Sequence, residues 1–160
     1  MSRQNADPDI ALKVVGAPRW TPEPDPRTPP GDPATLLTID SDGVVSAFSG
    51  KVEYGQGIRN GFAMEIADEL DVGVDSVQIV LGDTDLVPQD RGTTGSASTR
   101  TVGIQLRRAA ATARRALIDL AATRLEVSAG SLKTRDGQVV PDDGSAGVRY
   151  ADLLSGNSLT

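Results

Sequence analysis

Two short segments carry the residues whose types and spacing could do chemistry. They are Gly55-Gln56-Gly57 and Thr93-Thr94-Gly95-Ser96-Ala97-Ser98-Thr99. Each is a glycine-containing loop that leads into a predicted helix. A helix start presents backbone N–H groups without intrahelical partners and a partial positive charge. Glycine lets a ligand approach the backbone closely. Such loops suit a phosphate or a ring edge rich in hydrogen-bonding atoms. The Ser and Thr hydroxyls add donors and acceptors that adapt to a polar ligand. On residue types alone the plainer account is turn-and-cap chemistry, with Ser98 or Thr99 as an N-cap. A flexible Gly/Ser loop without a ligand is a further reading. Gly-Gln-Gly is neither the dinucleotide fingerprint nor the P-loop.

What the chain lacks narrows the chemistry further. It has 160 residues, room for one domain, with no Cys and no His. Without Cys there is no disulfide, thiolate nucleophile or cysteine-ligated iron–sulfur cluster. Without His there is no Ser-His-Asp triad, and the commonest general base and usual zinc ligand are missing. Proton transfer is left to Asp, Glu, Lys and Tyr, so the chain is expected to hold something more than to catalyse alone. A net charge of −6 argues against non-specific nucleic-acid binding. No apolar run approaches the roughly 20 residues of a membrane helix. Met1-Ser2-Arg3-Gln4-Asn5 has neither an apolar signal core nor a twin-arginine pair. The expected location is the cytoplasm, with neither a membrane nor a nucleic acid as partner.

The elements that must position the two loops follow from periodicity. Residues 1–33 hold eight of the ten prolines and are expected to form an irregular arm, either a disordered leader or a strap along a partner. Residues 34–160 are expected to fold as the domain. Thr35 to Ile39 and Val44 to Phe48 read as strands around an Asp42-Gly43 turn, the second with an extension toward Val52 through a bend at Gly50. Ile58, Phe62, Ala63, Ile66, Ala67 and Leu70 recur at helical spacing and predict a helix over 58–70. Val77 to Leu81 is the next strand, and 82–97 a long loop of the kind that carries function. A helix over 98–125 should bury Leu106, Ala109, Ala110, Ala113, Leu117 and Leu120. Its opposite side carries Arg107, Arg108, Arg114 and Arg115, read as a solvated face. Leu132 to Arg135 and Gln138 to Val140 flank an Asp136-Gly137 turn, and a short helix is expected near 150–154. The order β-β-α-β-α-β-β implies an α/β (α+β) fold, a two-layer arrangement of a small mixed sheet and two main helices.

The ordered set of motifs resembles a known family. Gly50-Lys51-Val52-Glu53-Tyr54-Gly55-Gln56-Gly57-Ile58-Arg59 is similar to the glycine-glutamine-glycine segment of the molybdopterin-binding large subunits of molybdenum hydroxylases. That family includes xanthine dehydrogenase, aldehyde oxidase, isoquinoline 1-oxidoreductase and nicotinate dehydrogenase. The likeness continues through Ala67-Asp68-Glu69-Leu70, Val77 to Leu81, Gly82-Asp83-Thr84, Pro88, and Thr94-Gly95-Ser96-Ala97-Ser98-Thr99-Arg100. It ends at Asp136-Gly137-Gln138-Val139-Val140, spans roughly residues 35–154, and looks most like the isoquinoline or nicotinate type.

The resemblance implies a pterin dithiolene molybdenum cofactor, often the cytosine dinucleotide. The implied activity is hydroxylation of an aldehyde or N-heterocycle carbon with oxygen from water. Gln56 would hydrogen-bond the cofactor, with Gly55 and Gly57 allowing close approach. Thr94, Gly95, Ser96, Ser98 and Thr99 would contact its pterin or phosphate portion. Implied partners are the remainder of the large subunit and a ferredoxin-like small subunit carrying [2Fe-2S] clusters. The family's catalytic glutamate lies far beyond Thr160, so no catalytic residue and no metal ligand is assigned here. Glu53 reads as a strand-end carboxylate making a structural hydrogen bond. Tyr54 stands where the family more often has Met. The expectation is a cofactor-lining fragment or split subunit, inactive alone. The alternatives are a non-catalytic binding or scaffold module that kept the fold without the cofactor, and an unrelated small α/β enzyme using Asp and Glu.

Overall fold

The structure is a computed structural model and describes residues 10–16, 34–90 and 92–155. Among the described residues, seven strands and three α-helices run in the order β1 (Ile10–Gly16), β2 (Ala34–Asp40), β3 (Val45–Ser49), α1 (Ile58–Leu70), β4 (Val77–Leu81), α2 (Ile104–Leu125), β5 (Leu132–Arg135), β6 (Gln138–Pro141), β7 (Val148–Arg149) and α3 (Tyr150–Leu154). The first sheet has the order β1-β2-β3-β4 and the second β5-β6-β7. The first is mixed, because β3 and β4 are parallel while the other pairs are antiparallel. Helices against a small mixed sheet match the expected class, with a second sheet added.

The β2–β3 hairpin turns at Asp42-Gly43 as expected. Gly43 takes φ +86, and the Asp40 carboxylate accepts from the Asp42 and Val44 N–H groups at 3.0 and 2.9 Å. Such Asx bonding pins a tight turn. The return strand ends at Ser49, short of the expected extension to Val52. Helix α1 has the expected bounds and buries the expected six residues. It closes at Asp71, a left-handed residue with φ 51.

Helix α2 buries Leu106, Ala109, Ala110, Ala113, Leu117 and Ala121. Ala121 therefore takes the place expected for Leu120, which is only partly buried. The steps 106, 110, 113, 117, 121 keep to one side of a 3.6-residue helix, whereas 120 drifts to its flank. The small alanines let α2 lie close to α1, and Phe62, Ile66 and Leu70 of α1 are fully buried in the shared core. The arginines are not simply solvated. Arg107 pairs with Asp68 at 2.9 Å and Glu69 at 3.0 Å, and Arg114 with Glu69 at 3.0 Å. They strap α2 to the last turn of α1. The Arg107–Asp68 pair is exposed at both ends, and such pairs contribute under about 1 kcal/mol each.

The irregular reading of residues 1–33 fails over Ile10–Gly16, which pairs antiparallel with β2. None of the eight prolines falls inside Ile10-Ala11-Leu12-Lys13-Val14-Val15-Gly16. The proline density of the whole segment masks a proline-free, β-branched window in which Ala11 and Leu12 reach the core. The rest of that segment, 1–9 and 17–33, lies outside the described residues.

Candidate cofactor-binding site

The two loops meet because of the parallel pair. Strands β3 and β4 run in register from Val45 opposite Val77 to Ser49 opposite Leu81. Their carboxyl ends are therefore level. The loop 50–57 leaves one, and the loop 82–98 leaves the other. The Gly82 N–H donates to the Ser49 carbonyl at 3.1 Å, closing the pair where both loops depart. Ligands of α/β sheets characteristically sit outside such carboxyl ends.

Side chains then tie one loop to the other. Lys51 is buried, 6% exposed. Its Nζ donates to Asp90 Oδ1 at 2.6 Å and to the Gly92 carbonyl at 2.8 Å. The Val52 N–H donates to Thr93 Oγ1 at 2.7 Å, and the Tyr54 hydroxyl to the Thr93 carbonyl at 3.4 Å. Gly50 permits this approach: a Cβ there would lie 2.5 Å from Asp90 Cβ and 2.7 Å from the Pro88 oxygen. Sequence reasoning does not assign Gly50, Lys51 or Asp90 to the site, and it places Thr93 in the second loop without a role. A lysine entering a loop directly after a strand is an available signal, but only the register of β3 on β4 reveals its partner.

Gly55 and Gly57 hold left-handed backbone, φ +103 and +77, with open space where a side chain would stand. Gln56 is exposed. Its Nε2 donates to the Val52 carbonyl at 2.9 Å, and its Oε1 accepts from the Tyr54 N–H at 2.5 Å. One further N–H and one lone pair stay open on that amide. The backbone N–H groups on either side of Gln56 are already engaged. Glu53 Oε1 accepts from Gly55 and Gly57 at 2.7 and 3.0 Å, and Oε2 from Arg59 at 3.1 Å. Those bonds, Arg59 foremost, then Gly57, hold its carboxyl below the usual glutamate range. Glu53 thus makes a structural hydrogen bond, as expected, and makes three of them. The anion seat expected at the start of α1 is filled by the chain's own carboxylate. Arg59 Nη1 donates to the Ile79 carbonyl, fixing the first turn of α1 over β4.

The second loop differs. Gly95 and Ser96 are consecutive left-handed residues, φ +65 and +50, a conformation uncommon for serine. The chain enters α2 through a π-helical turn, Thr99–Gly103, and such turns frequently occur at functional sites. Ser98 is already helical and makes no side-chain cap, so the N-cap reading is not realised. The hydroxyls of Thr94, Ser96, Ser98 and Thr99 bond to no partner among the described residues, and the exposed Arg100 has no ion pair among them. Beside this loop runs a groove of about 610 Å³, lined in part by Phe48, Lys51, Asp90, Thr94, Gly95 and Arg100. Of the expected site residues, only Thr94 and Gly95 line it. Gly55, Gln56, Gly57, Ser96, Ser98 and Thr99 lie outside its lining. A smaller groove of about 300 Å³, which includes Gly43, Gly137 and Tyr150, shares no residue with either loop.

The residues present fit a large polar ligand bearing anionic groups. Glycines open to solvent at positive φ allow close approach, and four unengaged hydroxyls stand near one guanidinium. Among the described residues no three acidic side chains gather as a metal-ligating group.

Behind the second loop, α1 presses Glu65 onto Gly103. One Glu65 carboxyl oxygen is buried without a hydrogen-bond partner, and it occupies the space a side chain at 103 would need. Burial raises the Glu65 pKa, and the nearby Arg107 charge only partly opposes this. A carboxyl with a raised folded-state pKa favours its neutral form in the fold. Its contribution is therefore most favourable below the ordinary value of 4.5 and is lost as pH rises through the folded value. Replacing Glu65 with Met, which has no charge and a similar volume, should raise stability at neutral pH. The expected gain is about 1 kcal/mol, the low end of the cost of an unsatisfied buried polar atom, because the carboxyl is only partly buried. Thermal unfolding at pH 4 and pH 7 checks this: the gain should be larger at pH 7. An equal gain at both would show that ionisation plays no part.

Comparison with known proteins agrees with this geometry. The molybdopterin cofactor-binding domain family matches residues 14–158. A nicotinate dehydrogenase chain of Pseudomonas putida is 41% identical over 125 residues, 78% of this chain and 10% of that protein. The beta chain of isoquinoline 1-oxidoreductase of Brevundimonas diminuta is 33% identical over 142 residues, 84% of this chain and 18% of that protein. Reconstituted CO dehydrogenase from Oligotropha carboxidovorans superposes with a TM-score of 0.68 at 30% identity, covering 74% of this chain and 16% of that one. The chain therefore spans less than a fifth of the length of these relatives. It belongs to the molybdopterin cofactor-binding domain family.

Proposed function

We propose that this chain lines one side of the molybdopterin site in a molybdenum hydroxylase that acts on an aldehyde or an N-heterocycle. The observation that carries the reading is the meeting of two glycine loops at the level carboxyl ends of β3 and β4. Gln56, between Gly55 and Gly57, offers its open N–H and lone pair to the hydrogen-bonding edge of the pterin. Thr94, Gly95, Ser96, Ser98 and Thr99, with Arg100 beside them, take the phosphate-bearing portion, up to a cytosine dinucleotide. When bound, the molybdenum centre supplies the two-electron oxidation that inserts a water-derived oxygen into the substrate C–H bond.

The role of this chain is binding and orientation. Two carboxylates of the loops are already committed: Glu53 to three backbone N–H groups and Asp90 to Lys51. The base that the hydroxylation needs would come from the remainder of the large subunit. Electrons would leave through [2Fe-2S] clusters on a ferredoxin-like small subunit. Among the described residues no helix is long and apolar enough to cross a membrane.

The test is co-expression of the chain with the rest of the large subunit and the iron–sulfur subunit, followed by measurement of bound molybdenum and turnover. Gln56→Ala should lower both by about tenfold, the lower range for removing a supporting hydrogen bond at a metal site. Unchanged molybdenum and turnover would remove Gln56 from the site.

A further inference from the structure

We propose that Glu53 is a positioning residue for Gln56, a role that rests on Gln56 facing the cofactor. Among the described residues, the Gln56 side chain bonds only to Val52 and Tyr54 of its own loop. Its place in the molecule is therefore only as definite as the loop itself. That loop contains two left-handed glycines with open surroundings, the residue type that loses most conformational freedom on ordering. The Glu53 carboxylate closes it from inside. One oxygen bridges Gly55 and Gly57 on either side of Gln56, and the other reaches Arg59 in the first turn of α1.

Three features make this more than an ordinary cap. All three acceptor bonds are charge-assisted and lie at a helix N-terminus, where a negative charge is favoured. Gly55 and Gly57 bracket the functional side chain, so the bridge fixes the peptide planes that orient it. Glu53 is itself held on both sides in sequence. Val52 is bonded to Thr93 and Arg59 to β4. The chain of positions runs from the second loop through Glu53 to Gln56.

A positioning role predicts non-additivity. In the assembled enzyme, Glu53→Gln keeps the size of the side chain but turns one oxygen into a donor facing N–H groups. It should lower molybdenum content and turnover about tenfold. The double variant with Gln56→Ala should be no worse than Gln56→Ala alone, because Glu53 acts through Gln56. Glu53→Asp, one methylene shorter, should recover only part of the loss. If the Glu53→Gln and Gln56→Ala losses multiply, or if Glu53→Gln loses nothing while Gln56→Ala does, the positioning role is wrong and the cofactor reading stands. If Gln56→Ala loses nothing, the cofactor reading itself has failed. The clamp has its own readout in the 160-residue chain without partners. The amide resonances of Gly55, Gly57 and Arg59 should titrate together with one midpoint below the usual glutamate range, and the transition should vanish in Glu53→Gln. Independent or absent transitions in the wild-type chain would overturn the clamp.

Discussion

Replacing Lys51 with Met should destabilise the chain by about 3 kcal/mol, near the lower end for removing one partner of a buried ion pair. Lys51 and Asp90 have side chains only 8% and 16% exposed, and they meet at 2.6 Å. Met fills the volume but leaves the Asp90 carboxylate short of its cation and the Gly92 carbonyl short of a donor. Stranding a buried charge is what makes the loss large; the pair itself contributes less than its geometry suggests, because both groups were taken out of water. A second substitution, Asp90→Leu, should therefore return much of the stability lost in Lys51→Met. Urea unfolding of the two single variants and the double variant checks this. The functional consequence is separate: with the tether cut, amide exchange should speed up across residues 88–99, and the second loop should lose its fixed distance from Gln56. Additive losses in the double variant would show that the two residues do not act as a pair.

Gly50→Ala should be the next most damaging change, at about 2 kcal/mol, within the range for forcing one extra group into a packed site. The new methyl would fall against Asp90 Cβ and the Pro88 oxygen. The oxygen is backbone, so no side-chain rotation relieves the contact and the segment 88–90 has to move. Backbone conformation is not the reason, since Gly50 lies outside the left-handed region occupied by Gly55 and Gly57. A wild-type melting temperature for Gly50→Ala would mean that the two loops are held less tightly than the contacts indicate. The expected drop, by contrast, should come with loss of molybdenum in the assembled enzyme.

Much of the frame was legible in the residues. Helix α1 follows from a single apolar stripe with clear breakers on both sides, Gly57 before and Asp71 after. The hairpin at Asp42-Gly43 and the strand Val77–Leu81 follow from turn chemistry and β-branched runs. The strand Ile10–Gly16 was hidden because proline, the loudest local signal, surrounds it without entering it. The two-residue strand β7 carries too few residues to show any period.

The site was half legible. Glycine and hydroxyl content marks both loops, but it cannot tell an open helix start from one already filled. Glu53 lies two to six residues before the N–H groups it accepts from, and only the folded loop brings them together. The strap from Lys51 to Asp90 spans 39 residues and depends on the parallel register of β3 and β4. No periodicity within either segment encodes that contact.

The central claim is that these two loops form one wall of the pterin site. It is tested most directly by a structure of the assembled, molybdenum-loaded enzyme containing this chain. The account predicts pterin density between the loops, within hydrogen-bonding distance of the Gln56 amide and of hydroxyls among Thr94, Ser96, Ser98 and Thr99. A cofactor bound elsewhere in the assembly, with both loops facing solvent or another subunit, would contradict it.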